Sequence, residues 1–163
     1  MKKLLKIAVL LVIFGGAAFF FYENKNEVAK WIEQLKPDPM RNNTYEKGQC
    51  TYYVFDKVKK DGNLISNRWG DAENWAKDAK KDGYVVNHKP AVHALMQTTK
   101  GKLGHVAYIE HVNKDGSFDV SEMNYIKPYK VSSRPITAEE AKTYEYIHPK
   151  KNPKAKDEKG KTE

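Results

Sequence analysis

The chain has 163 residues, with 29 Lys and Arg against 21 Asp and Glu, a formal net charge of +8 and one cysteine. That length suits one domain with a sizeable core plus appendages, not two full domains. The positive charge comes without a helix-turn-helix pattern, zinc-ligand spacing or an aromatic RNA-binding motif, so no nucleic-acid partner is expected; an anionic wall polymer, lipid headgroups or plain solvation account for it.

Lys2, Lys3 and Lys6 open the chain, and residues 7–22 carry no charge. Counted from Leu4, the stretch would rise about 28 Å as a helix, close to the thickness of a hydrocarbon core. Gly15-Gly16-Ala17-Ala18 offers small residues for cleavage, but Phe19-Phe20-Phe21-Tyr22 prolongs the apolar run beyond them. We read residues 1–22 as a membrane anchor or uncleaved signal, single-pass, with the lysines inside and the domain on the extracellular side. A secreted form is the alternative. Residues 23–44 hold a juxtamembrane helix and a polar linker. Val28, Trp31, Ile32 and Leu35 form its apolar stripe, and Pro37 and Pro39 end it.

The folded domain is expected over 45–148. Its first helix should run over 49–60, with Cys50, Tyr53, Val54 and Val58 on one stripe and Asp61-Gly62 ending it. A second helix begins near Asp71 as N-cap, places Ala72, Trp75, Ala76 and Ala79 on one face, and stops at Gly83. From Tyr84 the hydrophobic period changes to two, which predicts strands near 84–86, 91–98, 106–112, 117–125, 129–134 and 144–148. Helices followed by consecutive strands predict an α+β fold, with N-terminal helices packed on an antiparallel β-sheet. From Pro149 no aliphatic residue exceeds Ala155, so residues 149–163 are expected to form a disordered Lys-rich tail.

In an exported chain a lone thiol cannot form an intramolecular disulfide. Cys50 is then either a small buried hydrophobe or a reactive group. Its place in the first turn of a helix favours the thiolate, and Gly48 lets the backbone turn sharply before it. His105 opens a strand, and Asn113-Lys114-Asp115-Gly116 reads as the following hairpin loop. With those four residues as the loop, Val112 pairs with Ser117, Ala107 with Glu122 and His105 with Asn124. His105, Glu122 and Asn124 then share one face, with Glu122 on a diagonal of about 7–8 Å. A one-residue change in loop length would turn His105 to the other face. Phe118 and Val120 continue the Glu122 row, and a buried carboxylate needs a partner. A histidine that Glu122 orients would complete a nucleophile–base–orienter set; a structural hydrogen-bonded pair is the alternative.

Gly48-Gln49-Cys50-Thr51-Tyr52-Tyr53-Val54, Trp69-Gly70, Asn74-Trp75-Ala76, Gly104-His105-Val106-Ala107-Tyr108-Ile109 and Ser121-Glu122-Met123-Asn124-Tyr125 closely resemble the CHAP domain (cysteine, histidine-dependent amidohydrolase/peptidase), nearest to the staphylococcal secretory antigen type of wall hydrolase. The resemblance covers about residues 45–148, including Met96-Gln97-Thr98, Ser133-Arg134 and Tyr146-Ile147-His148. It implies a papain-like fold and cleavage of peptidoglycan amide bonds, as an N-acetylmuramoyl-L-alanine amidase or a peptide or cross-bridge endopeptidase. By position, Cys50 matches the nucleophile, His105 the general base, Glu122 the group that orients it and Asn124 a supporting polar group. The Cys50 backbone N–H and the Gln49 side chain are expected at the oxyanion. Tyr52, Trp69 and Trp75 are candidates for the substrate groove, with core packing the favoured role for Trp75.

Two departures stand out. His93 occupies a stretch where many such relatives carry glycine, and we expect it to face solvent. Ile126-Lys127-Pro128-Tyr129 replaces a Gly-rich loop. Residues 42–47 lack the aspartates of the calcium loop in phage relatives, and His88, His93, His111 and His148 stand at no zinc-ligand spacing, so neither metal nor cofactor is expected. The expected partners are peptidoglycan, the membrane and an envelope protein complex. A non-catalytic wall-binding or scaffold module of an envelope-spanning apparatus is the rival reading.

Overall fold

The structure, a computed structural model, describes residues 22–155. The chain divides into two units, Met1–Pro37 and Asp38–Glu163. The described part of the first holds helix α1, Lys25–Leu35, on which Trp31, Ile32 and Leu35 are exposed. The anchor expected over 1–22 lies outside the described residues except for Tyr22. Among the described residues no helix is long and apolar enough to cross a membrane.

The second unit opens with helix α2, Cys50–Lys60, and the short strand β1, Asn63–Leu64. A 3₁₀ turn, Ala72–Asn74, leads into helix α3, Trp75–Lys81. Strands β2 (Val85–Asn87), β3 (Leu95–Thr98), β4 (His105–Val112), β5 (Phe118–Met123) and β6 (Val131–Ile136) follow, then the one-turn helix α4 (Ala138–Ala141), β7 (Glu145–His148) and β8 (Lys150–Lys151). Six strands form one antiparallel sheet in the order β2-β7-β3-β4-β5-β6. The α+β architecture expected from the hydrophobic period is the one observed.

Strand alternation explains why the sheet is buried on both sides. Leu95, Val106, Tyr108 and Ile147 join Val54, Phe55 and Val58 of α2 and Trp75, Ala76 and Ala79 of α3 in one core. The neighbours of those strand residues, Met96, Ala107 and Tyr146, point the other way and pack with Phe118, Val120, Ile136 and Ala141. On α2 the buried positions Thr51, Val54, Phe55 and Val58 follow the helical period. The second helix begins differently from expectation. Asp71 caps no N–H with its side chain, and the first turn is 3₁₀ rather than α.

The β4–β5 hairpin reaches the expected register by an unexpected route. Val112 faces Phe118 and His111 faces Asp119, one residue off the predicted pairing; a bulge between Ile109 and His111 then places Ile109 opposite Val120 and Tyr108 opposite Ser121. The loop is longer than the four residues read from the sequence, with the Asn113 N–H donating to Ser117 O at 2.8 Å. The extra residue is absorbed at Glu110, whose carboxylate accepts from Ser121 Oγ at 2.5 Å and pairs with Lys57 at 2.7 Å. Two one-residue shifts cancel, and His105 keeps its face.

Both expected boundaries of the domain need correction. Residues 38–44 are part of the fold rather than a linker: Met40 is 0% exposed within the helix-side core, and Thr44 Oγ1 donates to Asn67 O at 2.6 Å. The expected disorder from Pro149 does not hold over 149–155. Strand β8 pairs with β1, the Asn152 N–H donates to Gly62 O at 3.1 Å, and Asn152 Nδ2 donates to Asp38 Oδ1 at 2.9 Å. Backbone pairing and a buried amide order this segment without any large aliphatic side chain. Residues 156–163 lie outside the described part.

Candidate active site

Gln49 is the N-cap of α2 and Cys50 its first residue, so the sulfur sits where backbone N–H groups have no helical acceptor. Gly48 has φ +90°, and a Cβ there would collide with the Tyr129 ring, so the approach to Cys50 requires glycine. Gly104, with φ +69°, brings β4 against the 3₁₀ turn so closely that a Cβ would lie 2.5 Å from Glu73 N and 2.7 Å from Thr98 O. Buried Gln97 holds that turn from below, donating to Ala72 O at 2.9 Å and Glu73 O at 3.3 Å. These contacts place His105, the first residue of β4, beside the start of α2.

His105 Nε2 lies 2.9 Å from Glu122 Oε2 and the ring also hydrogen-bonds Cys50, which leaves Nδ1 for the thiol. Burial opposes the charged ring, but the hydrogen bonds to Cys50 and Glu122, with their negative charge, outweigh it and push the His105 pKa up to about 9. Burial also opposes the Cys50 thiolate. The hydrogen bond and charge of His105, aided by the backbone N–H groups of Val106 and Thr51, nonetheless hold the thiol below its usual value. Glu122 is 0% exposed. Burial would raise its pKa, yet His105 and Arg134 keep it below the ordinary carboxylate value.

Arg134 on β6 completes the set. Its Nε donates to Glu122 Oε1 at 2.7 Å, and its guanidinium carbon stands 3.9 Å from the centre of the Tyr125 ring. Tyr125 in turn lies 5.7 Å, ring to ring, from His105. The thiol, imidazole, carboxylate and guanidinium therefore alternate in charge, with one aromatic ring covering both cations. Asn124, at φ +67°, donates from Nδ2 to Gln49 Oε1 at 2.7 Å, and its Oδ1 accepts the Tyr129 N–H. That hydrogen bond fixes Oε1 on the Asn124 side and leaves the Gln49 N–H donors for a ligand.

Two clefts meet at His105 and Asn124. One, of about 420 Å³, is lined by Gln49, Cys50 and Tyr45 on the helix side of the sheet. The other, of about 410 Å³, is lined by Thr98, Tyr125, Arg134 and Tyr144. The sequence pattern of the CHAP domain matches residues 40–124, just over half of the chain. The chain belongs to the CHAP domain family.

This CHAP domain is 54% identical over 107 residues to staphylococcal secretory antigen ssaA2 of Staphylococcus aureus (strain NCTC 8325 / PS 47), an alignment covering 65% of this chain and 39% of that protein. It is 51% identical over 107 residues to the probable autolysin SsaALP of the same strain, covering 65% and 40%. A crystal structure described as an N-acetylmuramoyl-L-alanine amidase from Staphylococcus aureus superposes with a TM-score of 0.64 at 38% identity, over 71% of this chain and 35% of that one. The chain thus spans about two fifths of the length of the curated relatives it matches.

Within the CHAP domain the structure brings together Cys50, His105, Glu122, Asn124 and Gln49, five of the residues singled out from the sequence. Trp69 does not join them. It is 2% exposed, donates from Nε1 to Asp82 Oδ2 at 2.8 Å, and packs edge-on against Trp75 and Tyr84, so its role is in the core and not the groove. Tyr52 is half-buried on α2 and lines neither cleft at His105. Trp75 is in the core as expected. His93 is exposed as expected; its φ of +68° explains why glycine suits this position, and its Nδ1 lies 3.0 Å from Asp61 Oδ2. In the sequence, Arg134 and Tyr125 stand out only as parts of the Ser133-Arg134 and Ser121–Tyr125 motifs. The available signal was the buried Glu122 carboxylate, which needs more neutralisation than one histidine supplies.

Proposed function

We propose that this CHAP domain hydrolyses amide bonds of peptidoglycan through a cysteine nucleophile. The observation that carries the reading is the Cys50–His105–Glu122–Arg134 relay, with its depressed thiol and raised imidazole pKa, at the junction of two clefts. The substrate class is supported by the similarity to a probable autolysin and to an N-acetylmuramoyl-L-alanine amidase. A nucleophile at a helix N-terminus facing a sheet-borne histidine also supports a papain-like fold as the finer description.

The mechanism is acyl transfer. Cys50 Sγ attacks the amide carbonyl carbon while the oxyanion accepts hydrogen bonds from the Cys50 N–H and the Gln49 amide that Asn124 orients. His105 gives its Nδ1 proton to the nitrogen as the C–N bond breaks, leaving a thioester on Cys50 and a free amine. Water then attacks the thioester carbonyl, losing its proton to His105, and the carboxylic acid departs as Sγ regains the thiolate. Glu122 stays ionised, keeps Nε2 as the donor nitrogen and stabilises the imidazolium; Arg134 holds Glu122 in place.

The Lys-flanked apolar residues 1–22 and the similarity to secretory antigens support action outside the cell, tethered at the membrane, where an envelope complex is a further proposed partner. Purified chain incubated with wall sacculi is expected to release new amino groups, and Cys50→Ala to release none while keeping its circular dichroism spectrum. Equal release by both would remove the cysteine mechanism and favour a scaffold module. Mass spectrometry of the digest identifies the bond cut.

A further inference from the structure

The two clefts that meet at His105 carry opposite charge. The cleft containing Cys50 is lined by two carboxylates, Glu46 and Asp71, and by no lysine or arginine. The cleft beyond His105 is lined by Lys100 and Arg134 and by no aspartate or glutamate. An acidic cleft on a chain of net charge +8 runs against the average surface, so one basic background does not explain the asymmetry. Arg134 is already committed to Glu122, whereas Lys100, exposed on the segment after β3, takes part in no ion pair among the described residues.

Cysteine chemistry assigns the two halves. The acyl carbon must bond to Sγ, so the acyl fragment occupies the cleft that Cys50 lines. The amine takes its proton from His105 as it leaves, and the second cleft is the one lined by His105 without Cys50. We propose that Lys100 is a specificity residue that binds a carboxylate on the leaving fragment, so that the released amine is an amino acid or peptide with a free carboxylate. The inference rests on the hydrolase reading above and adds the charge of the leaving half. Thr98, whose Oγ1 accepts the Lys100 N–H at 3.2 Å, and Tyr144 line the same cleft, and half-exposed Tyr125 adds an aromatic wall. A hydrogen-bonded contact to an ionised group supports about tenfold discrimination.

The test compares two muropeptides whose leaving stem peptides differ only in carrying free carboxylates or carboxamides, hydrolysed by the full chain. The expected kcat/KM ratio is about tenfold in favour of the carboxylate form. Lys100→Arg keeps that preference, Lys100→Met reduces it to about one, and Lys100→Glu reverses it. A ratio near one in the unsubstituted chain, or a preference that survives Lys100→Glu, overturns the proposal. A binding experiment separates this from the hydrolase reading. Cys50→Ala chain titrated with the free stem peptide and its carboxamide should bind the carboxylate form about tenfold more tightly by NMR, and lose that difference on adding Lys100→Met. Equal affinities, or no binding of either peptide, overturn the role of Lys100. Failure of the unsubstituted chain to release amines from sacculi removes the hydrolase reading instead.

Discussion

Glu122 is a fully buried carboxylate between two cations, and the chemistry of the relay follows from keeping it charged. Glu122→Gln removes the charge that supports the His105 imidazolium, so the alkaline limb of the rate profile, set by a His105 pKa of about 9, should move toward the ordinary 6.5. Iodoacetamide alkylation of Cys50 at neutral pH should slow in the same variant, because the ion pair that favours the thiolate is weakened. The sign for stability is fixed by linkage. The raised His105 pKa contributes stability that is complete below 6.5 and lost as pH rises through about 9. The depressed Glu122 pKa contributes stability that is present above 4.5 and lost as pH falls through its lowered folded value. Urea midpoints should therefore fall on both sides of a window from mildly acidic to mildly alkaline pH, and the alkaline fall should shrink in His105→Ala. Arg134→Met leaves Glu122 with one cation. The acid limb should shift to higher pH, with a loss of about 3 kcal/mol in urea denaturation as a buried pair is broken.

At the scale of elements, the site depends on where β4 begins. Gly104→Ala places a methyl against the backbone of the 3₁₀ turn and of β3, with φ held at +69°. It should cost about 2–4 kcal/mol in urea denaturation and reduce activity further by displacing His105. Gly101→Ala is the control. It shares a positive φ, +92°, but its Cβ would meet open space, so only backbone strain of about 1 kcal/mol is expected. The hairpin illustrates the same dependence. A longer loop alone would have turned His105 away from Glu122, and the bulge at Glu110 restores the pairing within a few residues.

At the scale of the whole molecule, the two ends of the folded unit close on each other. Asn152 joins Gly62 and Asp38, and β8 pairs with β1. Truncation after His148 should cost about 2–4 kcal/mol in urea denaturation through these lost hydrogen bonds. Much of this protein was legible in the sequence alone. Helix α2 with Cys50 in its first turn, the change of period at Tyr84 and the alternating strands follow from local periodicity and turn chemistry, which act over a few residues, whereas the contact of His105 with Glu122 also needed the bulge at Glu110. Three things were settled by tertiary structure. Arg134 and Tyr125 close the relay across β5 and β6; Trp69 is drawn into the core by Asp82, Trp75 and Tyr84; and Glu46, Asp71 and Lys100 give the two clefts opposite charge. Each depends on distances between residues far apart in the chain, and packing and long-range pairing set those distances where local pattern has no reach.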